Sequence, residues 1–194
     1  MSWLRDGLDG NVRCWWCGDD PIYVAYHDVE WGRRVTNDTR LFEKLILEGF
    51  QSGLSWLTIL RKRENFRGAF DDFDAEKIAS YGEAEVARLL GDAGIVRHRG
   101  KIESTINNAR RCIELVEREG SLNAYVAQYA VADPHRAEGD MPIPSTSPES
   151  VAMSKDLKRR GWSFVGPTTM YAFMQAMGLV NDHLDGCWVH DACG

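Results

Sequence analysis

The sequence predicts an all-α protein, and three observations lead to this class. Apolar residues recur at helical spacing in several segments. Capping residues and acidic first turns mark where these segments begin. No segment shows convincing strand alternation, an internal repeat or a low-complexity tract. The chain has 194 residues with 44% hydrophobic content, which is enough for one well-buried domain or two small lobes with a shared core.

The chain divides into a short N-terminal extension and one domain. Residues 1–12 show no periodicity, so we expect a flexible extension there. Residues 13–194 are expected to form a single α-helical domain, and residues 14–21 read as a turn at its start.

Caps and breakers place the helices of this domain. Residues 36–38 can cap the first helix, Gly53 breaks it, and Ser55 can cap the second. Residues 139–149 hold three prolines and are predicted to be a connector, and Gly161 ends the helix that follows. The later helices are predicted over residues 74–78, 83–90, 99–119, 121–129, 148 or 150 to 160, and 167–178.

Charge and cysteine content exclude several classes of protein. The net charge of −6 argues against a generic nucleic-acid binder, although a local basic face can still bind DNA. No run approaches the ~18 apolar residues of a membrane helix. No signal-peptide pattern opens the chain, so we expect a cytoplasmic protein without membrane contact. An odd number of cysteines, five, argues against a complete disulfide framework.

A carboxylate lies on the apolar face of the first predicted helix. On a helical wheel Glu48 falls roughly 20° from Leu41, at the edge of that face. It either reaches water from the edge or has a function, because a carboxylate in an apolar wall is costly unless it is paired. Four aromatic residues nearby in sequence favour a function: Tyr23, Tyr26, Trp31 and Trp56. Several aromatic side chains together with one carboxylate suit a pocket for a flat ligand ring that is electron-poor or cationic.

Side chains that can bind a metal lie near both ends of the chain. They are Cys14, Cys17, His27, His183, Cys187, His190 and Cys193. Cysteine and histidine in fours suit tetrahedral zinc, although a single C-x-x-C pair also occurs by chance and in thiol-redox sites. The redox alternative needs a βαβ context that the sequence lacks. Spacing alone leaves the ligand set open, but a site filled by four protein ligands would be structural and would join the termini.

Two predicted helices near the C-terminus are joined by a tight, glycine-containing turn over residues 162–168. Such a turn, leading into a helix N-terminus, presents free backbone N–H groups that can bind phosphate. Residues 158–160 are basic and lie beside it, and the alternative is an ordinary corner between two helices. The basic runs 97–101 and 61–63 are interpreted as a solvated helix start and a charged helix face.

Six motifs spread along the chain are long and specific when they are taken together. They are Arg13-Cys14, Tyr23-Val-Ala-Tyr26-His27-Asp28-x-Glu30-Trp31-Gly32, Leu47-Glu48-Gly49-x-Gln51-x-Gly53-Leu54-Ser55-Trp56, Arg97-His-Arg-Gly-Lys-Ile102, Phe164-Val-Gly166, and Gly178-Leu-Val-Asn181-Asp182-His183-x-x-Gly186-Cys187. With these motifs the chain resembles the 3-methyladenine DNA glycosylase I family from about residue 13 to residue 188.

The resemblance implies a helix–hairpin–helix DNA glycosylase fold, whose two lobes share a base pocket. It also implies a structural zinc ion (Zn²⁺) that ties the two ends together, with Cys17 outside the ligand set. The implied zinc ligands are Cys14, His27, His183 and Cys187. The implied base pocket consists of Tyr23, Tyr26, Trp31, Glu48 and Trp56, with Glu48 as the catalytic candidate. Contacts with DNA are expected at Leu54, Lys158, Gly166 and Thr168, with Leu54 as a wedge in the base stack.

The implied activity is monofunctional excision of 3-methyladenine from alkylated double-stranded DNA by a monomeric enzyme, with 3-methylguanine as a second candidate base. The wider superfamily carries a catalytic aspartate two residues before a histidine, where this chain has Asn181. Asp182 is displaced by one residue, so we assign it no catalytic role. No lysine Schiff base is implied, so strand cleavage is not expected.

A second hypothesis is a zinc-containing module that binds DNA or a modified nucleotide without catalysis. Such a module would not need Glu48 among aromatic residues.

Overall fold

The computed structural model describes residues 3–131 and 143–193, and helices make up most of this part of the chain. The mostly helical class predicted from the sequence is therefore confirmed. The described helices are α1 (Pro21–Val29), α2 (Asp38–Gln51), α3 (Trp56–Ala69), α4 (Ala75–Ala79), α5 (Glu83–Gly91), α6 (Arg99–Glu119), α7 (Leu122–Ala127), α8 (Pro148–Arg159) and α9 (Pro167–Ala176). Every helix within these ranges lacks the combination of length and apolar character that a membrane span requires.

Two short strands correct the prediction that the chain contains none. Strand β1 (Leu4–Asp6) pairs antiparallel with β2 (Val12–Cys14), so residues 4–14 form a hairpin. The expected boundary between residues 12 and 13 falls inside β2. Arg13 stabilises the connecting turn by donating to the Asp9 carboxylate at 2.6 and 2.8 Å. The sequence did not indicate these strands because three residues are too few to show a readable alternation.

Helix α2 lies at the centre of the fold. Its residues from Leu41 to Phe50 are all buried, because α3, α6, α7 and α9 contact it from different sides. The buried stretch includes three charged residues, Glu43, Lys44 and Glu48, each 5% exposed. Such charges need partners inside the protein, since an unpaired buried charge is strongly destabilising.

The predicted caps and breakers around α2 and α3 are confirmed. Asn37 caps α2 by accepting a hydrogen bond from the Arg40 N–H at 3.0 Å. Ser55 caps α3 by accepting from the Thr58 N–H at 3.2 Å. Gly53 follows α2 with φ of +81°, a left-handed conformation that suits glycine. These local signals depend on neighbours in sequence, which is why they could be read before the fold was known.

The region around α8 also agrees with the prediction. Helix α8 begins at Pro148, the earlier of the two predicted starts, with Ser147 as its cap. Gly161 ends it with φ of +86°. Of the predicted connector, residues 139–142 lie outside the described residues.

The basic run 97–101 is not simply a solvated helix start. Lys101 is 7% exposed, and its Nζ donates to the carbonyl oxygens of Phe50 at 2.8 Å and Ser52 at 2.6 Å. These carbonyls lie at the C-terminal end of α2, where backbone acceptors lack partners inside the helix. Lys101 therefore fastens the start of α6 to the end of α2 and to the turn that carries Leu54.

The α8–α9 connection is held by α6. The Ser163 N–H donates to Asn108 Oδ1 at 3.0 Å, and Asn108 Nδ2 donates to the Ser163 carbonyl at 2.9 Å. The next residue, Phe164, has φ of +55° and a side chain that is 39% exposed. The turn thus presents an apolar ring to solvent on a fixed backbone.

Replacing Lys101 with methionine should lower the free energy of unfolding by about 1–3 kcal/mol, because it leaves two carbonyl groups without their donor. Urea denaturation measures this loss. Lys62→Met is the matched control, since Lys62 Nζ also donates to two carbonyl groups, at 2.9 and 3.2 Å, but from a more exposed position. Equal losses in the two variants would contradict the fastening role of Lys101.

Candidate functional site

A cavity of about 340 Å³ opens between α1, α2, the start of α3, and α9. All five residues predicted for the base pocket line it: Tyr23, Tyr26, Trp31, Glu48 and Trp56. The structure adds residues that the sequence analysis did not assign: Trp15, Trp16, Gln51, Ile143, Pro144, Ser145, Ala172 and Gln175. Most of these come from segments distant in sequence, so no local spacing could have identified them.

Contacts between rings fix the walls of the cavity. The ring centroid of Trp16 lies 5.1 Å from that of Tyr23 and 4.8 Å from that of Trp31. Tyr26 and Trp56 contact each other with centroids 5.4 Å apart. Because each ring is held by another ring, the cavity is preformed and offers flat apolar faces.

The carboxylate of Glu48 is paired with a lysine from the same helix. Lys44 lies one turn earlier on α2, and its Nζ is 2.7 Å from Glu48 Oε1. The same Nζ donates to the Tyr26 hydroxyl oxygen at 3.0 Å and lies 3.1 Å from the centroid of the Trp56 ring. The sequence analysis did not identify Lys44, although its spacing of four residues from Glu48 is a signal for such a pair.

Two indole N–H groups at the cavity have no hydrogen-bond partner within residues 3–131 and 143–193. They belong to Trp16 and Trp56, whose rings line the cavity. Buried donors are normally bonded, so these two groups are exceptions in the walls of the cavity.

Asn181 and Asp182 use their side chains within the fold. Asp182 Oδ2 accepts hydrogen bonds from the Tyr171 hydroxyl and from Gln175 Nε2, each at 2.7 Å. Asn181 accepts from the His183 N–H at 3.1 Å through its Oδ1. Neither residue lines the cavity.

A second cluster joins the two ends of the chain next to this cavity. It consists of four buried residues whose ligand atoms all lie within 4.8 Å of one another: Cys14, His27, His183 and Cys187. Cys187 Sγ is 3.5 Å from His27 Nε2 and 3.6 Å from His183 Nδ1, and Cys14 Sγ is 3.9 Å from the latter atom. This group could hold a metal ion.

Hydrogen bonds orient both histidine rings of the cluster. The outer nitrogen of His27, Nδ1, donates to Asp28 Oδ1 at 2.7 Å, and Arg13 holds that carboxylate from its other side. His183 Nε2 donates to the Trp31 carbonyl oxygen at 3.0 Å. Each ring therefore turns its unprotonated nitrogen toward the two sulfur atoms, as ligating histidines do.

The remaining candidate ligands lie outside the four-residue cluster. Cys17 Sγ instead donates to the Cys14 carbonyl oxygen at 3.2 Å. His190 contacts Asp185 and Asp191. Cys193 Sγ contacts the Trp31 carbonyl oxygen at 3.8 Å.

The four residues expected to contact DNA lie in or next to two turns, the α2–α3 turn and the α8–α9 turn. Leu54 is 41% exposed between α2 and α3. Lys158 is exposed near the end of α8 and has no ion-pair partner in the part of the chain that the structure describes. Gly166 is the N-terminal cap position of α9, and Thr168 is exposed in its first turn.

These two turns rest on the same helix. A Cβ at Gly49 in α2 would lie 3.3 Å from the Phe164 Cβ, so the α8–α9 turn packs closely on the end of α2 that leads to Leu54. Arg159 and Arg160 of the predicted basic cluster pair with Asp156.

A helical chain with a preformed aromatic cavity that is large enough for a purine, and with one buried carboxylate, has the features of a protein that binds a flipped-out base. The chain belongs to the methyladenine glycosylase family, because the sequence profile of this family matches residues 16–190. The family indicated by the sequence motifs is therefore confirmed.

Individual relatives agree with this membership. The chain is 48% identical over 177 residues to DNA-3-methyladenine glycosylase 1 of Escherichia coli (strain K12). The aligned region covers 90% of this chain and 95% of the relative. A crystal structure of 3-methyladenine DNA glycosylase I is similar with a TM-score of 0.86 and 48% identity, covering 92% of this chain and 99% of that one. A variant of 3-methyladenine DNA glycosylase I in complex with 3-methyladenine is similar with a TM-score of 0.82 and 36% identity. The match covers 87% of this chain and 92% of that one.

Proposed function

We propose that this protein is a DNA-3-methyladenine glycosylase that excises 3-methyladenine from alkylated DNA during base-excision repair. Membership of the methyladenine glycosylase family and the names of the relatives support this function. The observation that carries it is the position of Glu48, a buried carboxylate that lines an aromatic cavity. A module that only binds DNA would leave this arrangement without a purpose.

The chemistry follows from the charge of the alkylated base. Methylation at N3 makes the purine cationic, so it leaves readily when the C1′–N9 bond breaks. The electron pair of that bond goes to the base, and water adds to C1′ of the resulting oxocarbenium-like sugar and releases one proton to solvent. The cavity contributes by stacking on the flipped base and by accepting a hydrogen bond from its amino group on Glu48.

Several details of this function stay predictions from the sequence. They are the double-stranded substrate, the monomeric state, the cytoplasmic location and the acceptance of 3-methylguanine. The proposed absence of strand cleavage is supported by the position of Lys44. This lysine contacts Glu48 and Tyr26 and does not line the cavity, so it is not placed to form a Schiff base.

The test is release of 3-methyladenine from methylated DNA, and Glu48→Gln should reduce this release by at least tenfold. An amide replaces half of the acceptor capacity with a donor, so binding of the alkylated base should weaken as well. Stability should also fall, because Lys44 loses its buried partner.

Glu43→Gln is the matched control for this variant. Glu43 is equally buried on α2 and pairs with Arg40 and Arg67, but it does not line the cavity. It should lose stability and keep the selectivity for the alkylated base. If Glu48→Gln lost stability alone, Glu48 would have no role in the pocket.

We also propose that the four-residue cluster binds one structural Zn²⁺. Ligands of a tetrahedral zinc ion at about 2.3 Å for sulfur and 2.0–2.1 Å for nitrogen are about 3.6 Å apart. The sulfur–nitrogen distances of 3.5, 3.6 and 3.9 Å fit this geometry. With all four positions filled by protein, the ion would crosslink the two ends of the chain and take no part in the chemistry.

Cys14→Ser should therefore remove stoichiometric zinc and lower the melting temperature substantially, because metal-binding energy is folding energy. Elemental analysis of protein purified without chelator measures the metal. Cys17→Ser is the control and should keep the zinc, since this thiol points to a backbone carbonyl. The opposite pattern would overturn the ligand assignment.

For DNA binding, we propose a helix–hairpin–helix formed by α8, residues 160–166 and α9. Pro167 has no N–H, so the free donors of the first turn of α9 belong to Thr168 and its neighbour, and they can bind a phosphate group. Lys158 would add charge beside this site. Leu54 would enter the base stack from the neighbouring turn.

Lys158→Gln should weaken DNA binding uniformly across sequences and reduce the slope of log K against log salt by about 1. Fluorescence anisotropy at several salt concentrations measures both effects. Lys155→Gln, on the same helix but one turn farther from the hairpin, should leave the slope unchanged. Identical slopes for the wild type and Lys158→Gln would show that Lys158 makes no phosphate contact.

A further inference from the structure

The lysine paired with Glu48 is not explained by recognition of a cationic base. Such recognition needs a carboxylate, yet the structure places a buried ammonium group 2.7 Å from it. Burying two charges is costly, and an apolar residue at position 44 would avoid the desolvation of the ammonium group. The pair therefore needs a reason beyond stability.

Lys44 contacts three residues that line the cavity without lining it itself. Its Nζ reaches Glu48 Oε1, the Tyr26 hydroxyl at 3.0 Å, and the face of the Trp56 ring at 3.1 Å from the centroid. These contacts hold the ammonium group behind the wall. Its charge therefore acts on a bound base through Glu48 and through the electric field in the cavity, not by direct contact.

Lys44 keeps its proton near neutral pH and pairs with the Glu48 carboxylate at 2.7 Å. Burial lowers the pKa of Lys44 to about 8, and Glu48 opposes this fall. The other charges that act on Lys44, Arg63 and Glu30, form their own bidentate pair at 2.6 and 2.9 Å. The inner wall therefore carries one positive and one negative charge.

We propose that Lys44 is a positioning and specificity-determining residue that cancels the charge of Glu48. The pocket then accepts a hydrogen bond from the amino group of the base without stabilising the positive charge that the base loses on excision. This inference rests on the proposed function. As the C1′–N9 bond breaks, its electron pair neutralises the base while positive charge develops on the sugar. A lone carboxylate would stabilise the charged base of the ground state more than the neutral departing base, which raises the barrier.

Three variants test the cancellation: Lys44→Met, Glu48→Gln and the double variant. The readout is the ratio of affinities, by calorimetry, for the cation 3,9-dimethyladeninium and for neutral 3-methyladenine. Lys44→Met leaves a net negative wall and should raise the preference for the cation about tenfold, whereas Glu48→Gln should lower it. The double variant has a neutral wall again and should return to within about threefold of the wild type. The Lys44→Met titration is repeated at mildly alkaline pH, where carboxyl groups in general are more fully deprotonated.

Kinetics on methylated DNA provide the second readout. Lys44→Met should lower KM and kcat together, because it binds the charged ground state more tightly and the transition state no better. Lys101→Met serves as the control for loss of a buried lysine, since Lys101 is 7% exposed and lies outside the cavity. It should lower stability and leave the affinity ratio unchanged. The same behaviour in Lys44→Met would show that Lys44 is merely structural and would overturn the proposal.

Failure of this inference can be told apart from failure of the proposed function. If the wild type neither binds 3-methyladenine nor releases it from DNA, both are overturned. The proposed function stands if the wild type does both. In that case the preference for the cation should be highest in Lys44→Met, intermediate in the wild type and the double variant, and lowest in Glu48→Gln. Any other order overturns only the role of Lys44.

Discussion

Burial of α2 along Leu41–Phe50 leaves three charged side chains, Glu43, Lys44 and Glu48, with only 5% exposure each. Each of these charges must pair, and the partners determine which neighbouring elements α2 holds. Glu43 forms ion pairs with Arg40 of α2 and with Arg67 of α3. Lys44 and Glu48 pair with each other beside the cavity. The central helix thus fixes α3 by one buried charge and shapes the binding pocket with the other two.

The cavity and the Cys/His cluster are not independent sites. The ring of Trp31 lines the cavity and lies 4.6 Å from the His183 ring, measured between centroids. The carbonyl group of the same residue accepts the hydrogen bond from His183 Nε2 at 3.0 Å. On the other side Trp16 packs on both Trp31 and His27. A displacement at the cluster would therefore move the walls of the pocket directly.

Local signals predicted more of the molecule than long-range ones did. The caps at Asn37 and Ser55 depend on adjacent residues, and Glu48 stood out because its helix is amphipathic in sequence. The role of Lys44 was not predicted, because the burial of a helix on all sides depends on helices far away in the chain. Lys101 was misread for the same reason: its carbonyl partners lie about fifty residues earlier, at Phe50 and Ser52. The choice among candidate ligands came from family resemblance, since spacing alone left several combinations open.

The joining of the two termini has a consequence for how the cell makes this protein. Cys14 and the two tryptophans after it leave the ribosome well before His183, which follows Cys14 by 169 residues. The backbone bond from the Trp188 N–H to the Val12 carbonyl at 2.9 Å likewise waits for the segment around Trp188. A nascent chain without this segment can keep the ring contacts of Trp16 with Tyr23 and Trp31 but lacks the histidine and cysteine that complete the cluster beside them. The support that His183 gives to Trp31 at the cavity wall is therefore added late in synthesis, after most of the helices have been made.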